Sequence, residues 1–473
     1  MRVLLIYPGS HYNIVTPPLG LMAVAAYIRK AHPDWIIEIK DFRLDRMSGE
    51  NAAQYVARWA PDIAGIYGIP PDTAFFVDIA RSIRPHVRSI VAGGPLATVF
   101  PQYVLENCPV DYLVMGEGEI PFARLLAHIE KGDENVPAIP RVIQAAHSDI
   151  VYDASADLVN DLDTLPFPAW DMIDVERYFS RPSHSMNPVI GRKRVLPIMT
   201  SRGCPFTCSY CHNMMGKKFR ARSVANIISE LELLIRDYGI EAVEIWDDIA
   251  NMDPGRMEEL CNVLIEKQIK LAISFSPGLR ADLLTEELVD KMLQAGTKRI
   301  NFGIETCSQR IQKITSKVQD LEKIKKISHY ISKKKGVILG GFFIIGNPTE
   351  TEREIKSTLA FARSLPIDII SINICTPFPG TRMFERLPPQ QREELRRLPP
   401  HRFSFFQANF SVCEVTPERL LAIQRRGYLG FYMSPRRLFS IFRKVSMRES
   451  MAGAFEVLRF ALLPKYRILY QEA

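Results

Sequence analysis

The chain has 473 residues, enough for two to four domains and a large hydrophobic core. Hydrophobic residues make up 47% of it and charged residues 24%, which excludes a largely disordered chain. The longest uncharged stretch, residues 3–28, is interrupted by three prolines, so we expect neither a membrane-spanning helix nor a signal peptide. With eight cysteines and no export signal, we expect a cytoplasmic protein whose cysteines are thiols or metal ligands.

The net charge of +7 is concentrated at the C-terminal end. From Arg425 onward there are ten lysines and arginines and three acidic residues, so the rest of the chain sums to zero. A basic tail attracts phosphate-rich surfaces, and residues 437–443 alternate apolar and basic side chains as an interfacial helix does. We therefore hypothesise a peripheral contact with an anionic membrane at the inner face. The alternative is a solvated pair of basic helices that serves only solubility.

The first part of the chain, residues 1–150, alternates short apolar strands with amphipathic helices. Strands are predicted at residues 3–7, 36–41, 63–67, 89–92 and 112–115, and helices at residues 19–31, 52–59 and 73–84. This alternation predicts an α/β domain with a doubly wound, Rossmann-like parallel sheet, which binds ligands at the carboxyl ends of its strands. Glycine-rich loops follow four of the strands and favour a large flat ligand nearby.

A second alternating series follows a proline-containing linker at residues 151–190. Its strands are predicted at residues 195–200, 242–246, 271–275, 299–303, 337–345 and 369–374, and its helices at 224–238, 256–267, 286–295, 320–334 and 350–364. Six repeats within residues 191–390 predict a partial (β/α)6 barrel, with its chemistry at the carboxyl ends of the strands. Residues 391–473 are predicted to form a basic helical extension.

The most specific motif is S-R-G-C-P-F-T-C-S-Y-C-H at residues 201–212, directly after the first strand of the second series. Cys204, Cys208 and Cys211 form C-x3-C-x2-C, a spacing that lets three thiolates converge from one loop. Zinc with His212 as the fourth ligand, c-type haem attachment and a chance group of buried cysteines are the alternatives. We favour an iron–sulfur cluster held by three thiolates, because the other five cysteines are scattered singly.

With Tyr210 before the third cysteine, this loop resembles that of the radical S-adenosylmethionine superfamily. The resemblance implies a [4Fe-4S] cluster on the three cysteines, with S-adenosylmethionine chelating the open iron. Reductive cleavage would then give a 5′-deoxyadenosyl radical that abstracts a substrate hydrogen. It also implies an electron donor such as flavodoxin or ferredoxin. Cofactor contacts are expected from four residues: Tyr210, Asp247, Glu305 and Gly346.

Residue Thr349 follows the last of these strand-end positions. A threonine just ahead of a helical pattern can cap the helix, so we expect Thr349 to cap the helix predicted at 350–364.

The first part of the chain resembles the cobalamin-binding domain that one class of this superfamily places before the barrel. The resemblance is carried by T-P-P-L-G-L at 16–21, V-A-G-G-P at 91–95, G-E-G-E at 116–119 and the linker L-P-F-P-A-W-D at 165–171. The class includes the anaerobic magnesium-protoporphyrin cyclase and B12-dependent radical methylases. Cobalamin contacts are implied for Pro17, Leu19, Gly20, Gly93, Gly94, Gly116, Glu117 and Gly118. The D-x-H-x-x-G segment with a cobalt-ligating histidine is absent, and we expect His11 to have no metal role.

These resemblances imply a cobalamin-dependent radical S-adenosylmethionine enzyme, with methyl transfer to an unactivated carbon as the favoured reaction. The substrate would be a small or lipid-like molecule, and nucleic acid is not the expected partner. An oxidative cyclase or C–C bond-forming enzyme acting on a lipid or tetrapyrrole-like substrate is the first alternative. A tRNA methylthiotransferase would need three further cysteines in the first domain, where only Cys108 is present. The last alternative is a cobalamin or cluster sensor without catalysis.

Overall fold

The computed structural model describes residues 1–10, 15–132, 138–145, 158–180, 194–212 and 214–444. None of the helices within these ranges combines the length and the apolar character that crossing a bilayer requires. The loop residue His11 and residues 445–473 of the predicted basic extension lie outside the described part of the chain.

The first sheet consists of β1 (Arg2–Tyr7), β2 (Ile36–Asp41), β3 (Ile63–Tyr67), β4 (Ser89–Gly93), β5 (Tyr112–Val114) and β6 (Val142–Gln144). Its strand order is β2-β1-β3-β4-β5-β6, with β1 to β5 parallel and β6 antiparallel to β5. The accompanying helices are α1 (Leu19–Ala31), α2 (Phe42–Asp45), α3 (Gly49–Trp59), α4 (Thr73–Ile83), α5 (Gly94–Val99), α6 (Pro101–Asn107) and α7 (Glu119–Glu130). The predicted doubly wound sheet is confirmed, with an antiparallel edge strand in addition.

Helices cover both faces of this sheet. In β1, Val3 and Leu5 join one core cluster, and Leu4 and Ile6 join the other. Successive side chains of a strand point to opposite faces, so a strand between two helical layers is apolar at every position. Helices α1 and α7 pack on the first face, and α3 to α6 pack on the second. The carboxyl ends of the strands and their glycine loops therefore lie together along one edge of the sheet.

The second sheet consists of β7 (Val195–Ile198), β10 (Ala242–Ile245), β11 (Ala272–Leu279), β12 (Thr297–Glu305), β13 (Ile338–Ile345) and β14 (Ile369–Ile374). Its strand order is β14-β13-β12-β11-β10-β7, and every neighbouring pair is parallel. Two short strands, β8 (Ser201–Arg202) and β9 (Arg220–Ala221), form a separate antiparallel pair. The helices are α8 (Val175–Phe179), α9 (Val224–Tyr238), α10 (Pro254–Glu266), α11 (Glu286–Gln294), α12 (Gln309–Thr315), α13 (Leu321–Ser332) and α14 (Glu352–Ser364). Spatial order follows chain order, as expected for the predicted six-stranded partial barrel.

Four helices follow the barrel: α15 (Arg382–Glu385), α16 (Pro389–Arg396), α17 (Pro417–Tyr432) and α18 (Pro435–Lys444). Helix α17 covers the edge strand β14. The hydroxyl of Tyr428 accepts the N–H of Ile372 at 2.9 Å, and the hydroxyl of Tyr432 accepts the N–H of Ile370 at 3.2 Å. These bonds satisfy main-chain donors that an open edge strand would expose.

Helix α18 turns two of its basic side chains toward the protein. The guanidinium of Arg437 donates to the main-chain carbonyls of Arg363 and Leu365 at the end of α14. The ammonium of Lys444 lies 2.8 Å from the carboxylate of Asp368. These charges hold the helix on the barrel and are not free to face another surface.

Candidate functional site

A loop of residues 203–219, here called the cysteine loop, carries Cys204, Cys208 and Cys211 between β8 and β9. Gly203 begins the loop with φ +82°, and a Cβ there would lie 2.3 Å from the carbonyl oxygen of Lys218, so only glycine fits. The antiparallel pairing of β8 with β9 closes the base of the loop and fixes its two ends.

The barrel also holds the middle of the cysteine loop. The N–H of Ser209 donates to the carbonyl of Thr315 at 2.8 Å, and the carbonyl of Ser209 accepts the N–H of Met383 at 2.7 Å. The N–H of Gly203 donates to Asp248 at 2.9 Å. These hydrogen bonds connect the cysteine loop to three separate places: the end of α12, helix α15 and the segment after β10.

The thiols of the cysteine loop are partly accessible to solvent. Cys211 is accessible to solvent, yet the surrounding protein and the neighbouring thiols Cys208 and Cys204 raise its pKa to about 12. Burial likewise raises the pKa of Cys204, with Cys208 and Asp248 as further contributors. The three thiols therefore combine access from solvent with close surroundings of protein.

The geometry disfavours a single-ion zinc site. Within the described ranges, no three histidine, cysteine, aspartate or glutamate side chains are arranged to hold one metal ion. A tetrahedral zinc ion would draw its ligands to about 2.3 Å from one centre. The ring of His212 instead lies edge-on to Phe378 with the centroids 5.7 Å apart. A multi-iron cluster spaces its thiolates more widely, so the loop remains compatible with it.

Asp247 follows β10, and its carboxylate is directed at the start of the cysteine loop. It is 2% exposed and accepts the N–H of Thr200 at 2.6 Å, the Thr200 hydroxyl at 2.5 Å and the Ser201 hydroxyl at 2.6 Å. Burial raises the pKa of Asp247, and these donors oppose the shift. We expected Asp247 to face a cofactor, but both of its carboxylate oxygens accept hydrogen bonds from Thr200 and Ser201. The neighbouring Asp248 is exposed, and one of its carboxylate oxygens accepts the N–H of Gly203.

Glu305, at the end of β12, forms an ion pair that the sequence did not suggest. Its carboxylate accepts a hydrogen bond from Lys317 Nζ at 2.7 Å, and both side chains are mostly buried. The ammonium of Lys317 is also close enough to Cys211 to favour the thiolate there. The hydroxyl of Tyr210 is buried, and burial together with the nearby Glu305 and Cys208 raises its pKa.

Gly346 ends β13 with φ +82°, and its N–H donates to Glu350 at 2.8 Å. The expected cap at Thr349 is wrong. Helix α14 begins at Glu352, and its N-cap is Thr351, which forms a reciprocal capping box with Glu354. Thr349 lies two residues earlier in a left-handed conformation, where its hydroxyl cannot reach the first turn.

A cavity of about 140 Å³ lies at the carboxyl edge of the first sheet; we call it the glycine-lined cavity. Its lining includes seven of the eight residues expected at the cobalamin site: Leu19, Gly20, Gly93, Gly94, Gly116, Glu117 and Gly118. Pro17 is not among the lining residues. It is buried in the turn before α1, where its carbonyl accepts the N–H of Leu19.

The glycine-lined cavity is completed from the barrel side. Met199, Arg202 and Met215, which lie at or within the cysteine loop, line the same space. Residues next to the cysteine loop and residues expected at the cobalamin site therefore border one cavity, although more than eighty residues separate Gly118 from Arg202 in the chain. The three cysteines themselves are not among the lining residues. In the sequence, the basic residues on either side of the cysteine motif are the feature that could have indicated this contact between the two parts of the chain.

Two family models match the chain. The B12 binding domain matches residues 9–126, which contain the glycine loops, and the radical SAM superfamily matches residues 198–362, which contain the cysteine loop. A protein of Pyrococcus horikoshii named as an uncharacterized methyltransferase is 29% identical over the whole of this chain and 99% of its own length. The anaerobic magnesium-protoporphyrin IX monomethyl ester cyclase of Rubrivivax gelatinosus is 25% identical over 82% of this chain and 70% of its own.

A solved structure has the same fold. The cobalamin-dependent S-adenosylmethionine radical enzyme OxsB with aqua-cobalamin bound aligns with a TM-score of 0.71 over 97% of this chain and 75% of that one, at 18% identity. The residues present here fit the cofactors of such a protein. The three thiols are partly accessible to solvent, and a Cβ at Gly93 would meet only one atom, at 3.8 Å. The chain therefore combines a match to the B12 binding domain with a match to the radical SAM superfamily, and the cofactors that such domains use are cobalamin, a [4Fe-4S] cluster and S-adenosylmethionine.

Proposed function

We propose that this enzyme transfers a methyl group to an unactivated carbon of a small molecule. In this proposal, Cys204, Cys208 and Cys211 hold the cluster, and the glycine-lined cavity holds cobalamin. The observation that carries the proposal is the shared cavity, because Met199 and Arg202 beside the cysteine loop border the same space as Gly93 and Gly116 do. Residues 1–150 would form the cobalamin domain, 151–190 the linker, 191–390 the barrel and 391–473 the C-terminal extension.

When bound, the cluster and S-adenosylmethionine supply a carbon radical that abstracts hydrogen, and cobalamin supplies a methyl group. The protein's own contribution is to position these groups and to exclude water. Asp247 fixes the start of the cysteine loop, and the exposed carboxylate of Asp248 beside that loop would bind the amino group of S-adenosylmethionine. Glu305 and Lys317 form an ion pair that places one negative and one positive charge at the end of β12. Gly346, at the end of β13, was expected to contact the cofactor, but a Cβ there would lie 3.1 Å from the side chain of Leu420, so helix α17 already fills the space beside it.

Methyl transfer is favoured over cyclisation by the relative that matches the full length of the chain, because that protein is named a methyltransferase. Oxidative cyclisation or C–C bond formation is the alternative, and the name of the Rubrivivax gelatinosus relative supports it. A tRNA methylthiotransferase is disfavoured. Cys108 is buried in the core of the first part, and burial raises its pKa to about 11, so it is a poor cluster ligand.

An apolar portion of the substrate is supported by aromatic side chains beside the cysteine loop. The ring of Phe378 contacts His212 on one side and Phe405 on the other, with centroids 5.7 and 5.1 Å apart. Phe405 and Phe406 remain exposed, which is unusual for such large apolar side chains. A small or lipid-like substrate with an apolar segment could pack against these aromatic side chains.

Electron supply and membrane contact are further parts of the proposal. A one-electron donor such as flavodoxin or ferredoxin would reduce the cluster in the cytoplasm. A peripheral contact with anionic lipid would involve the basic C-terminal extension, although Arg437 and Lys444 of α18 are already engaged within the protein. Flotation with anionic liposomes at low salt tests this contact, and protein that stays at the bottom of the gradient contradicts it.

The deciding experiment is anaerobic reconstitution with methyl-labelled S-adenosylmethionine, a reductant and extract from a strain that lacks the gene. We expect 5′-deoxyadenosine together with a product that carries the label. Unlabelled product with a new ring or C–C bond would favour the alternative reaction. A Cys208→Ala variant is the control, and 5′-deoxyadenosine no higher than in this control would favour a sensor.

A further inference from the structure

Two arginines stand at the two ends of the cysteine loop. Arg202 is in β8 and Arg220 is in β9, and the two residues face each other directly in the antiparallel pair. Like charges at opposed positions destabilise a strand pair unless opposite charges lie beside them. The base of the loop therefore depends on negative charge from another part of the chain.

Two glutamates after β5 supply this charge: Glu117 in the connecting loop and Glu119 at the start of α7. Arg202 Nη2 donates to Glu119 at 2.6 Å, and Arg202 Nη1 lies 3.4 Å from Glu117. Arg220 donates to both carboxylate oxygens of Glu117, through Nη1 at 3.1 Å and through Nη2. We call these four residues the arginine–glutamate clamp. Their positive and negative charges balance.

The clamp is buried. Its side chains are between 1% and 12% exposed, so the ion pairs are almost without water. A buried charge that loses its partner is strongly destabilising, because neither water nor an opposite charge then compensates it. The cysteine loop and the loop that carries Glu117 cannot separate without leaving such charges, and each loop therefore constrains the position of the other.

Both loops border the proposed cofactor sites. Glu117 and Glu119 line the glycine-lined cavity, and Arg202 lines it from the other side. Arg202 is two residues before Cys204, and Arg220 also donates to the carbonyl of Met215, within the cysteine loop, at 2.6 Å. A bound group that orders one loop therefore also restricts the other loop through these ion pairs.

We propose that the arginine–glutamate clamp couples the two sites, so that a bound cluster strengthens cobalamin binding and bound cobalamin strengthens cluster binding by the same factor. This inference rests on the site assignments of the proposed function. A ligand that orders one loop lowers the conformational entropy that the other ligand must remove, which is positive cooperativity without any contact between the ligands. Thermodynamic linkage makes the two effects equal.

The test measures hydroxocobalamin affinity by anaerobic equilibrium dialysis, with wild-type protein in two forms. One form carries the reconstituted cluster, and the other has been stripped of iron with a chelator. We expect binding to be about tenfold tighter in the cluster-loaded form, within the usual range of coupling between sites. Equal dissociation constants for the two forms of wild-type protein overturn the proposal without recourse to any variant.

Variants locate the coupling. Glu119→Gln keeps the shape of the side chain and removes its charge, and we expect the ratio of the two dissociation constants to fall toward one. The matched control is Asp171→Asn. This substitution removes an exposed ion pair between Asp171 and Arg29, 2.5 Å apart, which joins the linker to α1 outside the clamp. The control should keep the wild-type ratio. A Glu119→Gln protein that also keeps it would contradict the clamp as the coupling element.

The failure of the site assignments gives a different result. Iron uptake by Cys208→Ala, or unchanged cobalamin binding by Gly93→Leu, would overturn the proposed sites and the coupling with them. Loss of iron in the first variant and of cobalamin in the second, combined with equal affinities in the two wild-type forms, would overturn the coupling alone.

Discussion

The guanidinium group of Arg280 lies over the ring of Phe206, with its central carbon 4.3 Å from the ring centroid. Phe206 stands in the cysteine loop just after Cys204, and Arg280 follows β11. The guanidinium is itself held by hydrogen bonds of 2.9 Å to Asp282 and to the carbonyl of Val318. A cation over an aromatic face contributes about 0.5–2 kcal/mol. This contact therefore ties the cysteine loop to a strand end of the barrel.

We expect Phe206→Leu to speed the loss of iron from the reconstituted protein under a chelator, because leucine keeps the apolar contact but lacks the aromatic face. Stability should fall by roughly 1 kcal/mol. The matched control is Phe179→Leu, since Phe179 packs under Arg194 at a similar distance of 4.4 Å but outside the cysteine loop. The control should lose similar stability and release iron at the wild-type rate. Equal rates of iron release in the two variants would refute a role of Phe206 in holding the loop.

The three cysteines of the loop are expected to be the cluster ligands, and Cys208→Ala should reduce bound iron and the visible absorption of the cluster to background. Cys261 is the comparison, because it is a buried thiol in α10 that points into the core. Cys261→Ala should cost on the order of 1 kcal/mol of stability and leave the iron content unchanged. Iron retained by Cys208→Ala, or lost from Cys261→Ala, would show that the ligands lie elsewhere.

Gly93 offers a direct test of the glycine-lined cavity. A Cβ at this position would meet only the carbonyl oxygen of Val114, at 3.8 Å, so a side chain would project into open space. We expect Gly93→Leu to fold and to lose most of its cobalamin binding, because the leucine would fill the cavity. Gly255→Leu in α10 is the matched control, since a Cβ there has similar freedom at 3.5 Å but lies away from the cavity. Difference spectra on addition of hydroxocobalamin measure both, and equal binding by the two variants would place cobalamin elsewhere.

Most of the fold was predictable because apolar periodicity is a local property of the chain. The five parallel strands of the first sheet and the six of the second lie within a few residues of their predicted positions. Helix α7, which carries Pro121 in its first turn, was not predicted. Proline is tolerated at that point of a helix, where its missing N–H has no partner to lose. The edge strand β6 has only three residues and no pattern of its own.

The site was predictable only where a motif is contiguous. The cysteine loop is such a motif, and so are the glycine loops of the first sheet. The direction of a side chain depends on partners that are distant in the chain, as the carboxylate of Asp247 illustrates by accepting hydrogen bonds from Thr200. Lys317 and Arg220 were missed for the same reason, since their partners Glu305 and Glu117 come from other elements.

Glu350 combines full burial with incomplete hydrogen bonding. Its Oε2 accepts the N–H groups of Gly346 and Asn347 at 2.8 and 2.9 Å, whereas Oε1 has no partner among the described residues. Burial raises the pKa of this carboxyl from 4.5 to about 7, although the hydrogen bonds oppose the shift. The folded chain therefore binds a proton at Glu350 over a pH range in which the unfolded chain has already released it.

Because the folded-state pKa is the higher one, the stability of the wild-type protein should fall at this site as pH rises from 4.5 to 7. The glutamine in Glu350→Gln cannot ionise. The free energy of unfolding of this variant, relative to that of wild type, should therefore increase by up to about 3 kcal/mol between pH 4.5 and 7. Urea denaturation of cofactor-free protein at several pH values measures the difference. Glu352→Gln is the control, because ion pairs with Arg419 and Lys356 lower the pKa of Glu352 to about 2, below the window. Its difference from wild type should stay constant between pH 4.5 and 7, and a constant difference for Glu350→Gln as well would show that Glu350 is ionised throughout.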